Sequence, residues 1–184
     1  MQKLILIMGE LAAGKSTLAG QIAARYKIPA FTKDSIKELL CDHIGYSNRE
    51  ENLKLSFLTF DILFRLFESF SEAGRSLILE SNFRQNELDR LKSAAEKAGY
   101  ETLTIFLTGD LHDLHRRYLQ RASSGGRHPA HLTQNLDRFE DFAAVSQNTV
   151  PKNLFGQVIT IDTTLPDSPP DFSADERIRG FLSC

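Results

Sequence analysis

The order of apolar and polar positions divides the chain into a regular series of elements. Lys3 to Met8 is an almost unbroken apolar run that stops at Gly9, as a strand buried on both faces would. Lys15 to Tyr26 then carries Leu18, Ile22 and Ala23 at helical spacing until Lys27 and Pro29 end the pattern. A short stretch from Ile28 to Thr32 leads into a helix from Asp34 to Cys41, where Ser35 and Glu38 stand at capping-box spacing ahead of Leu39 and Leu40. From Asn48 to Glu72 neither Gly nor Pro occurs, and Phe57, Phe60, Phe64 and Phe67 recur every three or four residues. That spacing predicts a long helix whose aromatic stripe is core.

After Gly74, Leu77-Ile78-Leu79 reads as a buried strand ending in Glu80, and Glu87 to Ala98 returns to helical spacing before Gly99 caps it. Thr102 to Leu107 is a strand, Asp110 caps a helix to about Ser123, and Ser124 to Pro129 is a loop by its breaker residues. Leu132 to Asn148 reads as a weakly amphipathic helix and Gln157 to Ile161 as a last strand. Pro166, Pro169 and Pro170 then mark a connector, and Ser173 with Glu176 can box a final helix. Five strands alternating with helices predict an α/β sandwich around a mostly parallel sheet, and 184 residues fit one domain over 1–184.

Composition narrows the chemistry. Lys and Arg number 22 against 24 Asp and Glu, a net charge of -2, so the chain as a whole has no pull on nucleic acid or anionic lipid. Any basic site is local, and no stable nucleic-acid or membrane partner is expected. Two cysteines, Cys41 and Cys184, are too few for a disulfide scaffold and fit the reducing cytoplasm. The apolar run from Leu4 to Met8 is far below a ~20-residue membrane span.

Gly9-Glu10-Leu11-Ala12-Ala13-Gly14-Lys15-Ser16 matches G-x-x-x-x-G-K-[ST] at every fixed position, between a predicted strand and a predicted helix. The inward N–H groups of such a loop and the positive end of the following helix bind phosphate. Gly9, Ala12, Ala13, Gly14, Lys15, Ser16 and Thr17 are therefore candidate ATP contacts. Lys15 bridges the β- and γ-phosphates, and Ser16 offers a hydroxyl to Mg²⁺. Glu10 would repel a triphosphate and is expected to point to solvent.

Glu80, at a neighbouring strand tip, is the second Mg²⁺ candidate, and Arg84 just beyond it can hold a substrate anion; each also reads as a solvated surface charge. Asp34 follows the second strand at the same sheet edge and suits the general base of a kinase, or a helix cap. Arg116, Arg117, Arg121, Arg127 and His128 crowd a helix end and a Gly-Gly loop, as arginines on a closing lid over about 116–131 would, or as solvated cations drawn by the helix dipole. Arg117 and Arg121 share a helix face and come first as catalytic candidates, with Arg127 third. His112-x-x-His115 and His128-x-x-His131 have a spacing seen in zinc sites, but without cysteine nearby they are not expected to bind metal.

With GELAAGKS, the FTKD segment, ILESNFR and RASSGGRHPAH in this order, residues 1 to about 165 resemble the small P-loop kinases. Polynucleotide 5′-kinase domains, chloramphenicol phosphotransferase and zeta-toxin-like kinases share that layout. The resemblance implies the three-layer P-loop nucleoside-triphosphate hydrolase fold, a five-stranded parallel sheet in the order 2-3-1-4-5, ATP as donor, Asp34 at the base position and Asp162 near adenine. Glu80 stands where most relatives carry Asp. An ATP- and Mg²⁺-dependent transfer to a hydroxyl of a small molecule or nucleotide is the leading expectation. A nucleotide-dependent switch acting on a protein partner is the alternative, since phosphate loops serve both.

Overall fold

Five parallel strands, β1 (Lys3–Gly9), β2 (Ala30–Thr32), β3 (Leu77–Glu80), β4 (Glu101–Thr108) and β5 (Gln157–Asp162), lie in the order β2-β3-β1-β4-β5. This is the order implied by the resemblance to P-loop kinases. The structure, a computed structural model, describes residues 2–124, 128–131, 136–148, 151, 153–164 and 171–183. Seven helices connect the strands among these residues: α1 (Lys15–Tyr26), α2 (Lys33–Ile44), α3 (Arg49–Glu72), α4 (Gln85–Lys97), α5 (Leu111–Ser123), α6 (Phe139–Asn148) and α7 (Glu176–Ser183). None is long and apolar enough to cross a membrane.

β1 lies at the centre, buried along its whole length, with five apolar residues from Leu4 to Met8 after Lys3 and before Gly9. Alternate side chains take opposite faces. Leu4, Leu6 and Met8 pack with Phe60, Leu63, Phe67 and Leu91 of α3 and α4. Ile5 and Ile7 pack with Leu18 and Ile22 of α1, Leu114 of α5, Phe142 of α6 and Ile178 of α7. The result is three layers, helix on sheet on helix. All pairings being parallel, Gly9, Thr32, Glu80, Thr108 and Asp162 end at one edge.

Several boundaries differ from the pattern in the sequence. Thr32, not Ser35, opens α2, its hydroxyl accepting from the Ser35 N–H at 3.3 Å, so Asp34 sits inside the first turn and is not the cap. Asn48 caps α3 as its position suggests, but Phe57 is 47% exposed while Phe60, Phe64 and Phe67 are core. α6 begins at Phe139, since residues 136–138 are not helical and 132–135 lie outside the described residues. Ser173 belongs to a short 3₁₀ turn capped by Asp171, and Asp175 stands before α7 instead. Gly125, Gly126, Arg127 and the connector prolines also fall outside the described residues.

The motif's first glycine is fixed by the sheet. Gly9 has φ 142°, and a Cβ there would stand 2.1 Å from the Leu107 carbonyl oxygen of β4. Gly14 has φ 84° but open space around its Cβ position. Gly9→Ala should therefore lose at least ~2 kcal/mol of stability through overpacking and backbone strain, without any nucleotide present. Gly14→Ala should lose about 1 kcal/mol, the ordinary cost of a left-handed alanine. Chemical denaturation of the two variants checks this, and a Gly9→Ala protein as stable as wild type would refute the constraint.

Candidate active site

A cavity of about 600 Å³ opens at the carboxyl edge of the sheet, lined by the loop after β1, the start of α2, the tip of β3 and the inner face of α5. Gly14 heads α1 in the left-handed conformation, with no side chain capping the helix and no acid in its first turn. α2, α3 and α5 begin instead with capping side chains, from Thr32, Asn48 and Asp110. An uncapped helix start presents its N–H donors and positive dipole end to the cavity, where they fit an anion. Ala12, at φ 59°, and Thr17 also line it, Ala13 is 2% exposed in the core, and Gly9 holds the loop from behind.

The Lys15 ammonium donates to the Gly9 and Glu10 carbonyls at 3.1 and 2.8 Å, which aims it along the loop. Glu10 does not point to solvent. It is 9% exposed, and its Oε2 accepts from the Thr108 hydroxyl at 2.8 Å and the Gly109 N–H at 3.0 Å. The carboxylate is thereby turned onto the end of β4, away from the phosphate-loop donors, and clamps the two strand ends together.

Ser16 Oγ donates to Glu80 Oε2 at 3.1 Å. Glu80 is 3% exposed, and burial pushes its carboxyl up to about 7 against the opposing pull of Lys15 and the Ser16 hydrogen bond. A desolvated carboxylate with a hydroxyl beside it is an oxygen donor set short of positive charge, which fits a hard divalent cation such as Mg²⁺. The contact joins the last residue of β3 to the first turn of α1.

Asp34 lines the same cavity with its side chain 59% exposed. Arg117 and Arg121 line it from α5. Arg117 donates to the Thr163 carbonyl at 2.6 Å, fastening α5 to the exit of β5. Arg84 is elsewhere: it heads α4, its guanidinium lies 4.1 Å from the centre of the Phe57 ring, and it does not line the cavity. Asp162 is likewise outside, accepting from the Thr164 N–H at 2.8 Å, and this hydrogen bonding holds its carboxyl below the usual range.

Sequence reasoning passed over four contributors. Lys33 is buried beside Glu87 at 3.4 Å, which also accepts from the Arg84 N–H at 2.9 Å, so α2 and α4 are joined under the cavity floor. Lys37, Ser81 and His131 line the cavity as well. The spacing of Lys33 and Lys37 one turn apart around Asp34 was the available signal. His131 was marked only by its place in RASSGGRHPAH and a His-x-x-His spacing, neither of which shows that it reaches α2 through the fold. Its Nε2–H donates to Glu38 at 3.0 Å and its other nitrogen lies 3.9 Å from Asp34. His128 meets Asp42 at 2.8 Å, so the turn at 128–131 is fastened along Asp34, Glu38 and Asp42, one helical turn apart. His112 instead stacks on Phe139 at 4.0 Å, and His115 bonds the Leu136 carbonyl.

Burial holds the His131 imidazole below its ordinary value, with Asp34 and Glu38 opposing and Lys37 assisting. The unfolded chain then binds the proton more readily, so this residue's contribution to stability falls as pH drops through the ordinary histidine value near ~6.5. Denaturation between about pH 7.5 and about pH 5.5 should show a shallower loss in His131→Gln than in wild type. Equal slopes would refute it.

The model of the AAA domain matches residues 4–149, most of the chain. No curated protein matches by sequence. A solved "putative kinase" from Chloroflexus aurantiacus is 28% identical over 97% of each chain, with a TM-score of 0.84. A sugar kinase from Janibacter sp. (15% identical, 100% of this chain and 94% of that one, TM-score 0.60) and a gluconokinase from Sinorhizobium meliloti (17%, 98% and 90%, 0.56) share the fold. With its phosphate loop opening onto this cavity, the chain belongs to the AAA domain family and has the architecture of the small P-loop kinases.

Proposed function

We propose that this chain is an ATP- and Mg²⁺-dependent phosphotransferase that moves the γ-phosphate of ATP to a hydroxyl of a small molecule. The observation that carries the reading is the convergence on one cavity of the uncapped α1 terminus, Lys15, the Ser16–Glu80 pair, Asp34 and two arginines. A pure nucleotide switch has no use for a carboxylate at Asp34, whereas a kinase needs one to orient the attacking hydroxyl.

The phosphate loop and Lys15 hold the β- and γ-phosphates. Ser16 and Glu80 would hold Mg²⁺, which when bound would offset phosphate charge. Asp34 takes the acceptor proton as the new oxygen–phosphorus bond forms and the bond to the β,γ-bridging oxygen breaks. Arg117 and Arg121, which line the cavity from α5, stabilise the negative charge that develops on the transferring group, with Arg127, outside the described residues, as a third candidate. Arg84 and Asp162, which do not line the cavity, take no part in the transfer step. The free, buried Cys41 is in keeping with a cytoplasmic site of action.

Lys15→Ala should lose most ATP affinity and keep its melting temperature. Asp34→Asn should bind ATP as wild type does and lose roughly 10²–10⁴ in turnover. Arg121→Ala should lower turnover more than ATP affinity, because its contact strengthens in the transition state. Calorimetric ATP binding and steady-state ADP release measure all three. Full turnover in Asp34→Asn would refute the base assignment, and a folded Lys15→Ala protein with unchanged affinity would refute the phosphate site.

A further inference from the structure

Resting on the phosphotransferase reading, we propose that the acceptor is a compact, non-aromatic hydroxy compound carrying its own anionic group, bound through Lys37 and Ser81 beside Asp34. The cations of the cavity have different partners. Lys33 is paired with Glu87, Lys15 follows the phosphate loop, and Arg117 and Arg121 approach from α5. Lys37 is half-buried, and its ammonium donates to Asn52 Oδ1 at 2.8 Å and to the Ala130 carbonyl at 3.5 Å, both neutral. It forms no ion pair among the described residues. Burial already pushes it below its ordinary value, with Cys41 and Asp34 opposing. A desolvated ammonium held by neutral oxygens and facing a cavity gains most from an anion placed there.

Ser81 supplies a second, independent sign. It is 3% exposed and lines the cavity, yet its Oγ has no hydrogen-bond partner among the described residues. A buried hydroxyl left unpaired costs about 1–3 kcal/mol, which a polar ligand atom relieves. Ser56 and Asn82 add polar lining, and the apolar contributions come from Leu11, Ala12 and Ala130. Among the described residues the one ring lining the cavity is that of His131, whose side chain is 10% exposed and tied to Glu38 at 3.0 Å, so it offers a nucleobase little face to stack upon.

Geometry sets the size. Asp34 and Lys37 are three residues apart on α2, which places their Cβ atoms about 5–6 Å apart. The reacting hydroxyl and the anionic group therefore belong to one short skeleton.

Matched probes decide this: glycerol against glycerate, glucose against gluconate, ribose against its monophosphate, with adenosine as the aromatic control. Binding is read calorimetrically on the full chain loaded with a non-hydrolysable ATP analogue and Mg²⁺. In at least one pair the anionic member should bind about tenfold or more tightly than its neutral partner. Lys37→Gln, which keeps a donor for Asn52 and Ala130, should erase that preference, and Lys37→Arg should keep it. Ser81→Ala should weaken both members of the pair.

The proposal is overturned if no anionic probe outbinds its partner, if adenosine outbinds them all, or if Lys37→Gln keeps the preference. It is also overturned if Lys37→Gln loses ATP affinity in step, which would assign the ammonium to the donor. Because binding is measured without transfer, failure of the phosphotransferase reading shows separately, as ATP that is bound and never consumed alongside an acceptor.

Discussion

The site depends on how closely β1 and β4 approach at their carboxyl ends. Gly9 lies so near the Leu107 carbonyl that no side chain fits between them, and the next residue donates its N–H to that same carbonyl at 2.9 Å. β1 thereby ends in register with its neighbour, and the chain leaves the sheet as the loop that lines the cavity. Glu10 locks the junction from the far side by accepting from Thr108 and Gly109. The phosphate loop is thus held by a strand buried along its whole length, which gives it the rigidity that preorganised electrostatics require.

From that anchor the charges of the cavity can be apportioned by burial. Glu80 is brought beside Ser16 because β3 pairs with β1 in parallel register, Ile7 opposite Glu80, and desolvation there favours a cation. Asp34, by contrast, is exposed at the first turn of α2 and keeps access to an incoming hydroxyl. Lys33 and Lys37 flank it, one neutralised by Glu87 and one facing neutral oxygens. The two carboxylates of the cavity thus differ in solvation, and the tasks proposed for them rest on that difference. The turn at 128–131 completes the wall, seated on α2 by Ala130, which is fully buried, and by two histidines.

Much of this was legible in the chain because it was encoded locally. Strand β1, the phosphate loop and helix α1 form a contiguous segment whose apolar run, glycines and helical spacing all agree. Glu80 and Asp34 were identifiable because parallel strands end at one edge. What local patterns could not carry was the origin of contacts between distant segments. Glu10 finds Thr108 across 98 positions, so its turn away from solvent could not be read from its neighbours. His131 finds Glu38 across 93, and nothing in the loop's composition distinguished a seated turn from a free one. Phe57 failed for another reason: in the first half of α3 the buried face runs through Asn52, Leu55 and Thr59, which leaves Phe57 to its side, under Arg84.

The central claim is that the cavity transfers the γ-phosphate to an organic hydroxyl instead of to water. The direct measurement is phosphorus NMR of ATP incubated with the protein, Mg²⁺ and a protein-free extract of small molecules. The account predicts that the γ-phosphorus signal is replaced by that of a new phosphate ester, in step with ADP. Conversion wholly to inorganic phosphate, at a rate indifferent to the extract, would contradict it and favour a nucleotide switch.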